Sequence, residues 1–242
     1  MKKLILPILV AIGVNAQTPL ASTIASMPKE ALSQNEIRDL VHMREEEKLA
    51  RDVYLTLAKK WNLRVFNSIA NAESRHMDNV KILLDKYGIK DPVTTNSVGV
   101  FKDAKLQTLY NDLVKRGSIS AQEALKVGAL IEDLDIYDLK NALSRTNNQD
   151  VKYIYQNIQR GSRNHMRSFN INLQRYGATY TPKYISQSEY SSIVNSSLER
   201  GVGLGAGMGL GQGLGRGQGQ GLGRGQGRGM GARGQGRRFL GN

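Results

Sequence analysis

The 242-residue sequence contains no cysteine, which excludes disulfides and every metal or cluster site that is built on thiolates. Stability must therefore come from side-chain packing, from a bound metal, or from both. Any metal site has to use oxygen and nitrogen donors. Carboxylates and imidazoles are consequently the side chains to follow through this chain.

Long hydrophobic runs are nearly absent as well, because only residues 4–14 form one, directly after a basic start. With the small-residue sequence VNA at its end, this pattern predicts a secretory signal peptide over residues 1–16 and a linker over residues 17–34. The run is too short to span a bilayer comfortably, although an uncleaved membrane anchor is the alternative. We expect an exported protein, either periplasmic or extracellular.

Acidic residues are missing from the C-terminal stretch, residues 201–242, which carries six arginines and a glycine at nearly every second position. Together with Lys2 and Lys3, these arginines account for all but +5 of the formal charge of +13. So much glycine and so little apolar surface predict a disordered tail over residues 199–242, without the proline and the three-residue period of collagen. Its single aromatic residue, Phe239, argues against nucleic acid as a partner. Attachment to an anionic cell-envelope surface, or a plain flexible extension, stays open.

The middle of the chain, residues 35–198, has the hydrophobic periodicity of helices and predicts one all-α domain. Either Ser118 or Ser120 is expected to cap the third long helix. The four long helices are expected at about 35–61, 65–87, 118–145 and 149–176, and two short ones at about 104–115 and 187–198.

The connections between these helices differ in length. Short turns join the first long helix to the second and the third to the fourth, whereas about thirty residues separate the second from the third. A connection of that length can run the length of a bundle and reverse the expected helix direction. The sequence thus predicts a ferritin-like four-helix bundle with a long crossover between helices two and three, plus short extra helices.

Each long helix has an inward seam, spaced at alternating steps of three and four residues, that is apolar at both ends and polar near its middle. The polar positions fall at a similar depth on all four helices, so we expect their side chains to meet in one layer of the core. They are Glu47 on the first helix, Glu73 and His76 on the second, Glu132 and Asp135 on the third, and His165 on the fourth.

Carboxylates gathered in an apolar interior would repel one another, and burying each charge costs several kcal/mol. One or two divalent cations would remove that penalty by neutralising the carboxylates together. Carboxylate and imidazole donors suit iron, manganese or zinc, and two iron ions are the expected occupants. The alternative is a buried salt-bridge network in which Arg51, Arg75 or Lys126 pairs with the acids.

Residues close to this layer have more ordinary interpretations. Tyr54 lies two turns after Glu47 on the same seam, and it is either a simple core residue or a catalytic tyrosine with a hydrogen-bonding or redox role. His42 lies off the seam and is expected to be partly exposed. Glu45 and Glu46 flank the seam on other faces and are expected to be solvated.

Four motifs carry a resemblance to a known family: MREEEKLARDVY, AESRHMDNVKILLDKYG, ALKVGALIEDLDIYDL and RGSRNHMRSF. The first helix has Glu-x6-Tyr and helix two has Glu-x-x-His, and both patterns are similar to those of the ferritin-like di-iron proteins. In order and at matching spacings, over roughly residues 35–193, the four motifs resemble the exported, ferritin-like family called domain of unknown function 2202. The resemblance implies a ferritin-like bundle, while the activity of that family is itself poorly defined.

Carried over residue by residue, the resemblance implies five metal ligands: Glu47, Glu73, His76, Glu132 and His165. The glutamate of the second Glu-x-x-His motif is missing, since position 162 is serine. We hypothesise that Asp135, three residues after Glu132 on the neighbouring helix, supplies the absent sixth ligand. A single metal, or two unlike metals, is the alternative.

The function expected from these residues is that of an exported di-iron oxidoreductase, of peroxidase or ferroxidase type, that reacts with dioxygen or peroxide. Such a site needs an open coordination position and a path for the oxidant, for which the small residues Gly128 and Ser162 could leave room. Metal binding or storage without turnover is the alternative. A further alternative is an envelope-associated protein that acts through its basic tail.

Overall fold

In the computed structural model, residues 19–200 are described, and this part of the chain is helical with no strand. The all-α prediction is thereby confirmed. The predicted signal peptide, residues 1–16, and all but the first two residues of the predicted tail lie outside the described residues. The helices are α1 (Pro19–Ser26), α2 (Gln34–Trp61), α3 (Arg64–Tyr87), α4 (Ala104–Gly117), α5 (Ala121–Arg145), α6 (Gln149–Arg175) and α7 (Gln187–Val194).

The four long helices pack around one core as two helical pairs. α2 lies along α3 after the turn at Asn62, and α5 lies along α6 after the turn at residues 146–148. The pairs meet through contacts of α2 with α5 and of α3 with α6. α4, inside the long connection between α3 and α5, packs against α2 and α5. None of the helices within residues 19–200 combines the length and the apolar character that a membrane span requires.

Capping residues fix the helix boundaries close to where the sequence places them. Ser33 forms a capping box with Glu36 at the start of α2, because each side chain accepts a hydrogen bond from the backbone N–H of the other residue. Asn62 follows α2 in the left-handed conformation, at φ 51°. Of the two serines predicted to begin α5, Ser120 is the cap, and its hydroxyl accepts the N–H of Glu123.

Two buried apolar clusters lie on either side of a polar layer in this core. One cluster includes Tyr54, Phe66 and Phe169, and the other includes Leu40 and Leu83. Along α2, α3 and α6, residues of one cluster precede the candidate ligands and residues of the other cluster follow them. The polar layer is therefore enclosed by apolar packing, which strengthens electrostatic interactions within it.

The predicted linker, residues 17–34, contains the short helix α1, which the sequence did not indicate. Ile24 of α1 is buried in one of the two apolar clusters. The Lys86 ammonium donates hydrogen bonds to the backbone carbonyls of Ile24 and Met27, and it lies 2.6 Å from the Asp150 carboxylate. Because carbonyls near the end of α1 receive a cation's hydrogen bonds, this contact holds α1 against α3.

A buried ion pair holds the long crossover to α2. Lys48 Nζ lies 2.5 Å from Oδ2 of Asp52 and donates hydrogen bonds to the backbone carbonyls of Ser97 and Val100. The same Asp52 oxygen accepts the N–H of Gly99, which has a left-handed φ of 75°. The crossover backbone therefore has its polar groups satisfied where it passes α2.

Candidate metal centre

The side chains predicted to form one layer do lie between the two apolar clusters, and five of them form two overlapping groups. Glu47, Glu73 and His76 make the first triad, and Glu73, Glu132 and His165 make the second. Within each triad, one donor atom from every residue lies within 4.8 Å of the others. Glu73 belongs to both triads, so α3 provides the carboxylate that links them.

The Glu73 carboxylate divides its two oxygens between two histidines. Its Oε2 lies 2.7 Å from Nδ1 of His76, and its Oε1 lies 2.8 Å from Nδ1 of His165. Nδ1 of His76 is also 3.3 Å from Oε2 of Glu47. Nδ1 of His165 is 3.4 Å from Oε2 of Glu132. The two triads thus have the same composition around one shared carboxylate, and their imidazole rings stack with centroids 5.5 Å apart.

Asp135 lies beside the triads without being part of either. The Ser162 hydroxyl donates a hydrogen bond to Oδ2 of Asp135. Oδ1 of Asp135 is buried and has no hydrogen-bond partner within residues 19–200. Burial, and then the negative charges of Glu47 and Glu132, raise the pKa of Asp135 well above its usual value. The serine that replaces the expected glutamate therefore holds a carboxylate from α5 next to the layer.

Three buried polar atoms of the layer have no hydrogen-bond partner in the described part of the chain: Oε1 of Glu47, Oδ1 of Asp135 and Nδ1 of His165. Nδ1 of His165 is unpaired despite its short distances to two carboxylates, because the ring does not aim its N–H at either oxygen. Buried polar atoms are ordinarily paired, so three exceptions in one layer require an explanation. A cation among the carboxylates would satisfy them, and the donor set fits iron, manganese or zinc.

The basic side chains considered as alternative partners of the layer bond to residues outside it. These contacts are Arg51 with Asp52, Arg75 with the backbone carbonyl of Asn71, and Lys126 with Glu123. Within the layer, two imidazoles face four carboxylates. Even with both rings protonated, two negative charges would remain to be neutralised.

Burial and ion pairing together set the pKa values in the layer. Burial alone would raise the pKa of Glu73, but the charges of His165 and His76 outweigh burial and lower that pKa below its usual value. Burial would lower the pKa of His165, yet the carboxylates of Glu73 and Glu132 raise it to about 10. Burial raises the pKa of Glu47 to about 8, against the opposing charge of His76. The raised pKa values of Glu47 and His165 favour their protonated forms at neutral pH, which offsets part of the negative charge of the layer.

Tyr54 is a core residue and a hydrogen-bond donor at the same time. Its ring is fully buried against Phe66 and Phe169, with ring centroids 6.1 and 5.4 Å away. Its hydroxyl donates a hydrogen bond of 2.6 Å to Oε1 of Glu132. Burial, followed by the charge of Glu132, raises the pKa of Tyr54 well above its usual value. The phenol therefore stays protonated and positions Glu132, while a redox role stays a prediction.

A cavity of about 70 Å³ reaches the layer from the surface. Two of its lining residues, Leu109 of α4 and Tyr184, are exposed. Other apolar side chains of α4 and α5 line it as well, among them Leu113, Leu130 and Ile131. The carboxylate side chains that line the cavity are Glu46, Glu47, Glu73, Glu132 and Asp135.

Glycine plays a different part in the layer from the one expected. The expectation that Gly128 leaves room for an oxidant is wrong, because a Cβ there would come within 2.3 Å of the Phe169 ring that occupies the space. Gly161, which the sequence did not single out, has its missing Cβ directed at His76, and a Cβ would lie 2.5 Å from Nε2. Glycine in the RGSRNH motif is the signal that could have indicated this close approach.

Glu46 is the other residue whose environment differs from the expectation. It was predicted to be solvated, which is wrong, because its side chain is 11% exposed and lines the cavity. The contact with α5 covers it, and a helical wheel of α2 alone does not show that contact. His42 is exposed as expected, with 56% of its side chain accessible.

Residues 36–197 match the family described as an uncharacterized protein domain, DUF2202. The chain is 55% identical, over 179 residues, to uncharacterized protein MJ0754 of Methanocaldococcus jannaschii, which covers 74% of this chain and 97% of that protein. It is also similar to the crystal structure of hypothetical protein MJ0754 from Methanococcus jannaschii, with a TM-score of 0.71 and 55% identity. That likeness covers 72% of this chain and 99% of the other.

Proposed function

The chain belongs to the DUF2202 family, and from that premise and the buried donor set we propose a ferritin-like di-iron oxidoreductase that reacts with dioxygen or peroxide. The observation that carries the proposal is the sharing of Glu73 between two triads of the same composition. A carboxylate that contacts two histidines from different helices suits the role of a ligand shared by two ions, which supports the proposal.

The helix arrangement supports the ferritin-like part of the proposal. Two helical pairs that are joined by one long connection have the connectivity of ferritin-like folds. The ligands come from the middle of all four long helices, as bundle-core metal sites do. Export is also part of the proposal, and it rests on the N-terminal pattern of residues 1–16, which lie outside the described residues. A contact of the basic tail with an anionic envelope surface is a further part of the proposal.

In this proposal each side chain has a separate task. Glu47 and His76 would hold one ion, Glu132 and His165 would hold the other, and Glu73 would be a ligand shared by both. Bound ferrous ions would supply the electrons that reduce the oxidant. Tyr54 restrains Glu132 through its 2.6 Å hydrogen bond.

The cavity provides the access that such a reaction needs. A water-sized molecule requires about 10–15 Å³ of accessible volume, so a cavity of about 70 Å³ admits dioxygen or hydrogen peroxide. Its apolar lining suits dioxygen, and its carboxylates lie at the candidate centre.

Anaerobic loading with ferrous iron, followed by addition of dioxygen or hydrogen peroxide, tests the proposed reaction. We expect the wild-type protein to bind iron and oxidise it, with oxidant consumption matched to ferric absorbance. Glu73→Gln should bind little iron, whereas Asp85→Asn, an exposed carboxylate on the same helix, should behave as the wild type. If iron binds stoichiometrically but stays ferrous after either oxidant, the protein binds or stores metal and the enzyme proposal is wrong.

The role of Asp135 is tested separately. If the aspartate that Ser162 holds is the sixth ligand, Asp135→Ala should weaken binding of at least one ion by about 10- to 100-fold. Isothermal titration with zinc measures this change. Full stoichiometry at unchanged affinity would remove Asp135 from the ligand set.

A further inference from the structure

A third group of side chains that could ligate a metal ion includes Glu46, which directly precedes Glu47 on α2. His42 and Glu46 are one turn apart on α2, and Asp138 lies opposite them on α5. One donor atom from each of the three residues lies within 4.8 Å of the others. The sequence has three histidines in total, and this group contains the one that the two buried triads do not use.

Glu46 gives this group a feature that an ordinary surface pair lacks. Its Oε1 lies 3.3 Å from Nε2 of His42, but its Oε2 is buried and has no hydrogen-bond partner within residues 19–200. The carboxyl group of Asp138 contacts that of Glu46, and two carboxylates in contact repel unless a proton or a cation lies between them. Asp138 adds a second carboxylate on the same side, and burial, followed by the charge of Glu46, raises its pKa to about 6.

Position links this group to the buried centre. Glu46 lines the cavity that Glu47, Glu73, Glu132 and Asp135 also line. Side-chain exposure falls from 56% at His42 to 11% at Glu46 and 2% at Glu47. A cation that moved along these residues would exchange water for carboxylate oxygens in steps, which avoids the full cost of desolvation in one step.

We propose that His42, Glu46 and Asp138 form a second binding site, for a divalent first-row transition-metal ion, which loads the buried centre through Glu46. The binding part stands on the outer group alone, whereas the loading part rests on the proposed function of the triads. One imidazole and two carboxylates suit ferrous, manganous or zinc ions. Calcium prefers six to eight oxygen ligands and is disfavoured by this donor set.

Cobalt titration of the untagged full-length protein tests the binding part. The double variant His42→Ala/Asp138→Asn should bind about one cobalt equivalent fewer than the wild type. Lys81→Ala/Asp85→Asn, which removes an exposed pair one turn apart on α3, is the matched control and should bind as the wild type does. Repeating the comparison in a Glu73→Gln background keeps the result independent of the buried centre. An unchanged stoichiometry in both backgrounds overturns the outer site.

Stopped-flow cobalt absorbance tests the loading part. With the outer site removed, the buried centre should fill to the same extent but about tenfold more slowly, because cations are no longer concentrated beside Glu46, which lines the cavity. A filling rate equal to that of the control overturns the loading role. If the wild type gains the outer equivalent but never fills a buried site, the proposed function fails, and the loading role fails with it while the outer binding site stands.

Discussion

Glu132 and Asp133 are neighbours on α5, both are buried, and each accepts a hydrogen bond from a tyrosine hydroxyl, yet the rest of their surroundings differs. Asp133 accepts hydrogen bonds from the Tyr180 hydroxyl at 2.7 Å and from backbone N–H groups of residues 183–185. Glu132 lies in a layer where three buried polar atoms have no partner within the described residues. The described residues thus satisfy both oxygens of Asp133, whereas they leave polar atoms of the layer without partners.

Asp52 repeats the pattern of Asp133 on another helix. It is fully buried, and its oxygens receive the Lys48 ammonium, the Arg51 guanidinium and the Gly99 N–H. Both residues attach a connecting segment to the helical core. Buried carboxylates that hold connecting segments are thus satisfied within the fold, unlike those of the candidate centre.

The largest expected effect comes from Glu73, because both triads depend on it. Glu73→Gln keeps the volume of the side chain but removes the charge and one acceptor oxygen. We expect binding of both ions to weaken by at least about 100-fold. Elemental analysis after dialysis against a weak chelator measures the change. Retention of one tightly bound ion would show that the triads act independently.

Asp133→Ala should lower stability and leave metal binding unchanged, the opposite of what we expect for Glu73→Gln. Removal of this acceptor leaves buried donors unpaired at about 1–3 kcal/mol each, so we expect a loss of at least about 3 kcal/mol in the free energy of unfolding. Urea unfolding of the metal-free protein measures the loss. Metal stoichiometry in native buffer should not change, and a loss of metal would break the distinction drawn between the two neighbours.

The pH dependence of stability is a smaller effect with a defined sign. The pKa of Glu47 is raised from 4.5 to about 8, so the folded protein retains a proton between these values that the unfolded chain has lost. The pKa of His165, raised from 6.5 to about 10, acts in the same direction. Stability of the metal-free protein should therefore fall as pH rises from 6 to 9, by up to about 1.4 kcal/mol per pH unit for each retained proton.

Metal binding should remove this dependence, because bound cations replace the protons. Thermal unfolding at several pH values, with and without zinc, makes the comparison. The zinc-bound protein should be stabilised more strongly at pH 8 than at pH 6. Equal pH profiles for the two forms would mean that zinc does not bind at the titrating groups.

The smallest expected effect concerns Tyr54. Tyr54→Phe removes the hydrogen bond to Glu132 and should lower the free energy of unfolding by about 1 kcal/mol, because the ring packing is preserved. Metal content should stay at the wild-type level. If the tyrosine also has a redox role, oxidation of bound iron will slow while binding is unchanged, and an unchanged rate limits Tyr54 to core and positioning roles.

Much of the centre could be predicted from the sequence because helical periodicity alone determines which side chains share a face. Glu73 and His76, three residues apart, are in contact in the structure as that spacing requires. Ser162 also indicated where the expected pattern is broken. The contact of its hydroxyl with Asp135 agrees with the idea of a replacement carboxylate, which stays a prediction.

The features that were missed depend on contacts between distant segments. α1 is too short to be stable alone, and it depends on the burial of Ile24 and on hydrogen bonds from Lys86. The filling of space at Gly128 depends on the ring of Phe169, which approaches from α6. Glu46 is covered by the packing of α5. A single helix pattern contains no information about any of these.

If the proposed function is right, the two triads hold two cations that share Glu73. Anomalous diffraction at the iron edge, from crystals loaded anaerobically with ferrous iron, tests it most directly. We expect two anomalous peaks, one beside His76 and one beside His165, each in contact with an oxygen of Glu73. Loaded crystals with no anomalous peak among these side chains would contradict it.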